Sequence, residues 1–177
     1  DGGENWGPVT DGQITSASVG AVAVSESNPD VVYIGMGESA IRGNIMPGDG
    51  IYKSTDAGKA WAHMGFKTVD AISKIRIHPT NPDVVFAAVF GKYSVPSAER
   101  GVFKSTDGGK RYALMGLPNS KHINRVVIHP TNHDVVLVAA TGPLFGPGGD
   151  RGVYKTTDGG KTWKQVLTGD DDTGAND

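Results

Sequence analysis

Three stretches decide the fold: Gly50-Ile51-Tyr52-Lys53-Ser54-Thr55-Asp56-Ala57-Gly58-Lys59-Ala60-Trp61, Gly101-Val102-Phe103-Lys104-Ser105-Thr106-Asp107-Gly108-Gly109-Lys110-Arg111-Tyr112 and Gly152-Val153-Tyr154-Lys155-Thr156-Thr157-Asp158-Gly159-Gly160-Lys161-Thr162-Trp163. They align without gaps, and successive copies lie 51 residues apart. The shared spacing is Ser/Thr-x-Asp-x-Gly-x-x-Trp/Tyr, and it has a physical reason. A carboxylate at the start of a tight turn accepts hydrogen bonds from backbone N–H groups the turn leaves unpaired, glycine supplies a positive φ, and the aromatic returns to pack between neighbouring sheets. On this reading Ser54, Asp56, Gly58 and Trp61 are architectural, as are Ser105, Asp107, Gly109 and Tyr112, and Thr156, Asp158, Gly160 and Trp163. Tyr112 stands where the other copies have tryptophan, a change that an inter-sheet aromatic slot is expected to tolerate.

A second element repeats upstream of each box: Ser27-Asn28-Pro29-Asp30-Val31-Val32, Thr80-Asn81-Pro82-Asp83-Val84-Val85 and Thr131-Asn132-His133-Asp134-Val135-Val136. Short β runs flank these turns: A strands over Ala21 to Val24, Lys74 to Ile77 and Arg125 to Ile128, and B strands over Val31 to Ile34, Val84 to Val89 and Val135 to Ala139. A longer loop leads to the Gly-Ile/Val-Tyr/Phe-Lys strand C, and the Asp-box turn reverses the chain into strand D. Four antiparallel strands in about 50 residues is the arithmetic of a propeller blade. The expected fold is all-β, a β-propeller segment of three four-stranded antiparallel blades, at 10–66, 67–117 and 118–168, with 169–177 beginning a further one. Asp1-Gly2-Gly3-Glu4-Asn5-Trp6 matches the second half of a box, with Asp1, Gly3 and Trp6 at the places of Asp56, Gly58 and Trp61. Residues 1–9 therefore read as the orphan last strand of a preceding blade. A closed propeller needs roughly 4–8 blades, so the segment is expected to belong to a longer polypeptide. Its terminal blades would then pack on the rest of that polypeptide or on another protein chain.

Composition narrows the partners. Seventeen basic and 19 acidic residues give a net charge of −2 with no basic stripe, which argues against nucleic acid. No apolar run approaches the ~20 residues of a membrane helix, so no span is expected. The absence of cysteine removes disulfides, thiolate metal sites and a cysteine nucleophile together. The 26 glycines and 10 prolines punctuate β-rich runs at regular intervals, the texture of an all-β chain.

In a four-stranded blade the A–B and C–D turns lie on one face of the disc, and the variable B–C and D–A loops lie on the other, where binding is expected. The variable loops, at 37–50, 91–101 and 142–152 and at 65–73, 116–124 and 169–177, gather Glu38, Arg42, Asp49, Tyr93, Glu99, Arg100, His122, Asp150 and Arg151. The acid-Arg-Gly phrase recurs in register at Glu99-Arg100-Gly101 and Asp150-Arg151-Gly152, and reads as ion pairs holding each loop to its own blade. A unique ligand site would use residues outside that register: Glu38, Arg42, Tyr93 and His122. No catalytic set, metal site or cofactor motif is evident. His78 and His129 sit at equal points of their repeats, with Ser25 at that point in the first, and read as turn packing. Asp170-Asp171-Asp172 with Asp177 lacks the ligand spacing of an EF-hand loop and reads as a solvated acidic loop.

The boxes resemble the Asp-box (BNR) repeat family, found in sialidases, xyloglucan-degrading glycoside hydrolases and sortilin. The phrases Val32-Tyr33-Ile34-Gly35-Met36-Gly37-Glu38 and Glu99 to Lys110 are most similar to secreted bacterial sortilin/Vps10-like proteins often labelled glycosyl hydrolases. The resemblance implies a propeller in a secreted or periplasmic protein. It implies a binding or scaffold module for protein or glycan, more in keeping with a non-enzyme than with catalysis. The alternatives are a glycoside hydrolase fragment whose catalytic acids lie outside this segment, and an accessory subunit of a larger assembly. A sialidase is disfavoured, because its Arg-Ile-Pro signature is absent and Arg76-Ile77 is followed by His78.

Overall fold

The computed structural model describes residues 2–40, 43–95 and 97–176. Among the described residues, twelve strands form three separate antiparallel sheets, each hydrogen-bonded in simple sequence order. Blade 1 holds β1 (Val19–Val24), β2 (Val32–Met36), β3 (Ile51–Ser54) and β4 (Ala62–His63). Blade 2 holds β5 (Ala71–His78), β6 (Asn81–Gly91), β7 (Gly101–Ser105) and β8 (Ala113–Gly116). Blade 3 holds β9 (Ile123–Ile128), β10 (Val136–Ala140), β11 (Gly152–Thr156) and β12 (Lys164–Leu167). Among the described residues there is no helix.

Two apolar layers hold the blades face to face. Between blades 1 and 2, Tyr33 and Ile51 pack on Val85, Ala87, Val89 and Phe103. Between blades 2 and 3, Phe86, Ala88 and Val102 pack on Val126, Val136 and Val138. Successive residues of β6 thus serve opposite interfaces, which is why Val84 to Phe90 is apolar without alternation. The rule that one strand face meets solvent is suspended for a blade covered on both sides.

Each Asp box builds the same hairpin. The Ser54 hydroxyl accepts the Gly58 N–H (2.8 Å) and donates to Asp56 Oδ1 (2.8 Å), which also accepts the Ala60 N–H (2.9 Å). Ser105 and Asp107 repeat this with Gly109 and Arg111, and Thr156 and Asp158 with Gly160 and Thr162. The box glycines need the left-handed backbone, with φ of 89°, 89° and 99° at Gly58, Gly109 and Gly160. The preceding residue is left-handed too; in the first box it is Ala57 at φ 57°. Its N–H, like those of Gly108 and Gly159, donates to the aspartate carbonyl of its blade's A–B turn (Asp30, Asp83 and Asp134). In those turns the Asn28, Asn81 and Asn132 side chains accept the N–H two residues on. Ser25, His78 and His129 accept N–H groups of the same turns, and His78 also stacks edge-on against His133 of the next blade (4.1 Å).

The box aromatics lie half-buried, each reaching the blade before it. Trp163 Nε1 donates to the Met115 carbonyl (3.0 Å), and Met115 stands three residues after the preceding box's aromatic. Trp61 Nε1 donates to the Val9 carbonyl (2.8 Å), and Val9 stands three residues after Trp6. Tyr112 lacks the indole donor; it packs on Phe66 (5.0 Å), and its hydroxyl is buried without a partner. Lysines cross the same interfaces: Lys53 Nζ reaches the Gly108 carbonyl (3.1 Å), and Lys104 Nζ the Gly159 carbonyl (2.8 Å).

Residues 2–9 differ from the expected strand. Gly2 and Gly3 keep the box's left-handed pair (φ 67° and 90°), but no ladder follows. Among the described residues no C strand lies beside this segment to complete one. Trp6 is correspondingly 90% exposed, its Nε1 donating to the Gly3 carbonyl instead of to another blade. Asp1 lies outside the described residues. Val9 nevertheless puts its carbonyl in the D-strand role opposite Trp61.

Opposite signs are expected at two equivalent positions. Trp163→Phe loses an N–H donor and leaves a carbonyl unpaired, lowering stability by about 1 kcal/mol, whereas Tyr112→Phe removes an orphan hydroxyl and is neutral or stabilising by up to about 1 kcal/mol. Urea unfolding of both variants checks this. The pH dependence has a fixed sign as well. The Arg111 side chain, above all, holds the Asp107 carboxyl down at about 2. Asp56 and Asp158 are lowered chiefly by the Ala60 N–H and the Thr156 hydroxyl, respectively. A carboxyl depressed in the folded state contributes stability above its ordinary pKa and loses it as pH falls through the folded value. Stability is therefore expected to decline between about pH 4 and 2, and Asp107→Asn should flatten that decline in acid titrations followed by tryptophan fluorescence.

Candidate binding face

The variable loops form the second face of the blades, and Tyr93 and His122 meet there. β6 ends by carrying Phe90 into the 91–101 loop, and β9 begins just after His122. The Phe90 ring lies between them, 4.7 Å from Tyr93 and 4.4 Å from His122. His122 Nδ1 lies 3.0 Å from the Gly142 carbonyl, which can only accept, so the proton sits on Nδ1 and Nε2 carries the lone pair. Burial, with the charges of Arg100 and Lys121, lowers the imidazole pKa and keeps it neutral near neutral pH. His122 Nε2 and the Tyr93 hydroxyl are both buried without a hydrogen-bond partner. Burial, then Glu38 and Asp70, raises the Tyr93 pKa. Asp70 fixes the Tyr93 loop by accepting the Tyr93 N–H (2.7 Å) and pairing with Lys92 (2.9 Å).

Glu38 serves its own loop: Oε2 accepts the Met46 N–H (3.1 Å), and its backbone N–H donates to the Met46 carbonyl. Arg42 lies outside the described residues, as does Asp177. Of the residues placed outside the repeat register, the structure brings Tyr93 and His122 together around Phe90, with Glu38 near enough to raise the Tyr93 pKa.

The two repeated arginines grip carbonyls rather than carboxylates, which corrects the ion-pair reading. Arg151 is buried and donates to the carbonyls of Thr141, Pro143, Gly146, Gly148 and Asp172. Arg100 does the same for Phe90, Lys92 and Val95. Their acidic neighbours face elsewhere: Glu99 accepts from the Thr68 hydroxyl (2.8 Å), and Asp150 from the Asn119 N–H (3.1 Å). The physical reason is geometric. A guanidinium offers five donors in a planar fork, and a loop curled around it presents several carbonyls that one carboxylate cannot replace. Asp49 stands where blade 1 would carry this arginine, and accepts from the Tyr52 hydroxyl (2.7 Å) and the Thr15 hydroxyl.

Held from beneath by Arg151, the 142–150 loop presents Phe145 outward, 91% exposed, with Leu144 beside it. Among the clefts that open on this face, Lys121 lines three, of about 580, 340 and 200 Å³. The smallest is walled by Phe90, Tyr93, His122, Pro143, Leu144 and Phe145. Reasoning from sequence passed over Phe145; a Leu-Phe pair inside a Gly- and Pro-rich loop was the available signal. Among the described residues no three metal-ligating side chains cluster, and no helix is long and apolar enough to cross a membrane.

Residues 49–173 match the family model Sortilin-Vps10, described as "Sortilin, neurotensin receptor 3". No curated protein matches the chain. Similar solved structures include an ancestral GH74 enzyme (23% identity, TM-score 0.66, covering 91% of this chain and 20% of that one). The GH74 xyloglucanase from Xanthomonas campestris is similar at 16% identity and TM-score 0.57, over 85% of this chain and 21% of its own. YCF48 from Cyanidioschyzon merolae is similar at 18% identity and TM-score 0.54, over 86% and 38%. These likenesses establish the propeller fold. The chain spans about a fifth of the length of the two GH74 proteins.

Replacing Arg151 by methionine removes the grip while keeping an unbranched apolar stem. Amide exchange across 143–149 is expected to accelerate by at least about tenfold, with the β9 to β11 ladder unchanged. Equal exchange in the variant would show that the loop holds itself.

Proposed function

The chain belongs to the Sortilin-Vps10 family, and from that premise we propose that it is a non-enzymatic binding module, three blades of a larger secreted propeller that recognises protein or glycan through its loop face. The observation that carries this reading is the Arg151-held loop. A phenylalanine almost wholly in water is an unfavourable resting arrangement. Here a buried guanidinium fixes the backbone that displays it, beside a cleft floored by Tyr93 and His122. Rigid aromatic anchors beside a pocket are the usual centres of binding energy. Lys121 supplies the polar edge common to the three clefts.

The fold shared with GH74 enzymes supports a second reading, in which the parent is a glycoside hydrolase with its catalytic acids in other blades. A general acid needs a raised carboxyl pKa, whereas Asp56, Asp107, Asp158 and Asp170 are displaced downward. The family likeness supports placing the protein outside the cytoplasm.

Glycan and protein arrays probed with the chain test the first reading. Phe145→Ala is expected to weaken the best binder by about tenfold or more, as loss of an anchor does, with unfolding unchanged. Binding indifferent to Phe145 would remove this face from consideration. Robust turnover of xyloglucan by the parent polypeptide would replace the first reading with the second.

A further inference from the structure

The D–A loops of blades 2 and 3 carry opposite charges at one register: Asp70 and Lys121 stand 51 residues apart, at matching distances from Gly65 and Gly116. In blade 2 the acid is a latch on its own B–C loop. Asp70 donates its N–H to the Gly91 carbonyl (2.8 Å), and its carboxylate accepts from the Tyr93 N–H and the Lys92 ammonium. Blade 3 closes the same loop another way. His122 Nδ1 donates to the Gly142 carbonyl and Arg151 grips the carbonyls beyond it, so residue 121 has no latch to make.

Lys121 is exposed, and among the described residues no oxygen accepts from its ammonium. Its backbone sits in the left-handed region, φ 51°, which residues with a β-carbon rarely take. Arg100 lines two of the same three clefts, and with its donors spent on carbonyls it contributes charge without needing an anion. The acid among the lining residues is Asp150, whose Oδ2 accepts the Asn119 N–H. Around this positive charge the surface is apolar. Val95 lies on the 340 Å³ cleft and Leu144 and Phe145 on the 200 Å³ cleft, and all three are exposed. Beneath them the Tyr93 hydroxyl and His122 Nε2 are shut off from solvent. A sugar hydroxyl pressed onto that floor would lose water without a partner, a cost that an apolar side chain does not meet.

We propose that this face takes an extended segment of a partner protein, in which an internal aspartate or glutamate pairs with Lys121 and apolar side chains two residues to either side lie on Val95 and on Leu144 and Phe145. Residues two apart in an extended chain share a face, which lets one acid and two apolar groups meet these surfaces together. The proposal rests on the reading of the chain as a binding module, and adds the partner's class and the sign of its charge. Lys121 is the residue that selects it, because the acid at the same register in blade 2 is already consumed.

The probes are acetylated, amidated pentapeptides, Leu-Ala-Asp-Ala-Phe and its versions with asparagine or lysine at the centre, titrated into the isotope-labelled full chain and followed by amide shifts. With both ends blocked, the central side chain is the peptide's only charge. Shifts are expected at 93–95, 121–122 and 144–146, with the aspartate peptide binding about three- to fivefold more tightly than the asparagine one, the worth of an exposed ion pair. That margin should vanish in about 0.5 M salt. Lys121→Asn, which tolerates the left-handed backbone, should make the two peptides equal, and Lys121→Glu should turn the preference to the lysine peptide. Binding that needs Phe145 but ignores Lys121 and the central residue overturns the acid pairing and leaves the binding-module reading standing. An oligogalacturonate that shifts the same amides more strongly than the acidic peptide makes the partner an acidic glycan and overturns the assignment to protein. No shift at this face with the acidic peptide at millimolar concentration also overturns the proposal, and the Phe145→Ala arrays then decide the wider reading separately.

Discussion

Each blade depends on a relay of three side-chain contacts inside one turn. The hydroxyl of Ser54, Ser105 or Thr156 accepts a glycine N–H and donates to a carboxylate, and that carboxylate accepts the N–H four residues beyond itself. The relay fixes where strand D starts, and hence where the aromatic immediately before it points. The same turn offers its remaining carbonyl to a lysine of the blade before. A hairpin that closes itself therefore also carries both halves of the contact with its neighbour. The acid sensitivity of the carboxylates and the packing of the blades are consequences of one local geometry.

Burial falls across each blade from its second strand to its fourth. β6 is buried without a break from Val85 to Gly91, and β2 and β10 nearly throughout, whereas β8 is half-exposed and every residue of β4 and β12 is exposed. A blade of this kind has no private core: its apolar residues are shared with the sheets before and after it. Stability in such a stack is approximately a sum of blade and interface terms, so losing one interface costs the stack without unfolding the blades beyond it.

The fold was legible because its signal is periodic. The boxes and the Asn-x-Asp turns recur with the same chemistry, so the hairpins at Asp56, Asp107 and Asp158 could be read from spacing alone. Residues 2–9 were legible in part. Their box glycines and the Val9 carbonyl follow the repeat, but a ladder needs a second strand, which no local pattern supplies. The binding face was harder to read. Its loops differ in length and carry no period, and the acid-Arg-Gly phrase resembles an ion pair to an eye that sees only adjacent charges. What those arginines meet is main chain, which has no letter of its own in a sequence. Tyr93 and His122 come together only through Phe90, a residue whose apolar character marked it as core and nothing more.

The grip of Arg151 has a consequence for how such a loop changes over generations. Its five acceptors are all backbone oxygens, present whatever side chain each residue bears. Substitution at the loop's tip can alter what is displayed without disturbing what does the displaying. The loop is a mount with an interchangeable head: one arginine conserves a shape, and drift at Leu144 and Phe145 is free to explore new ligands.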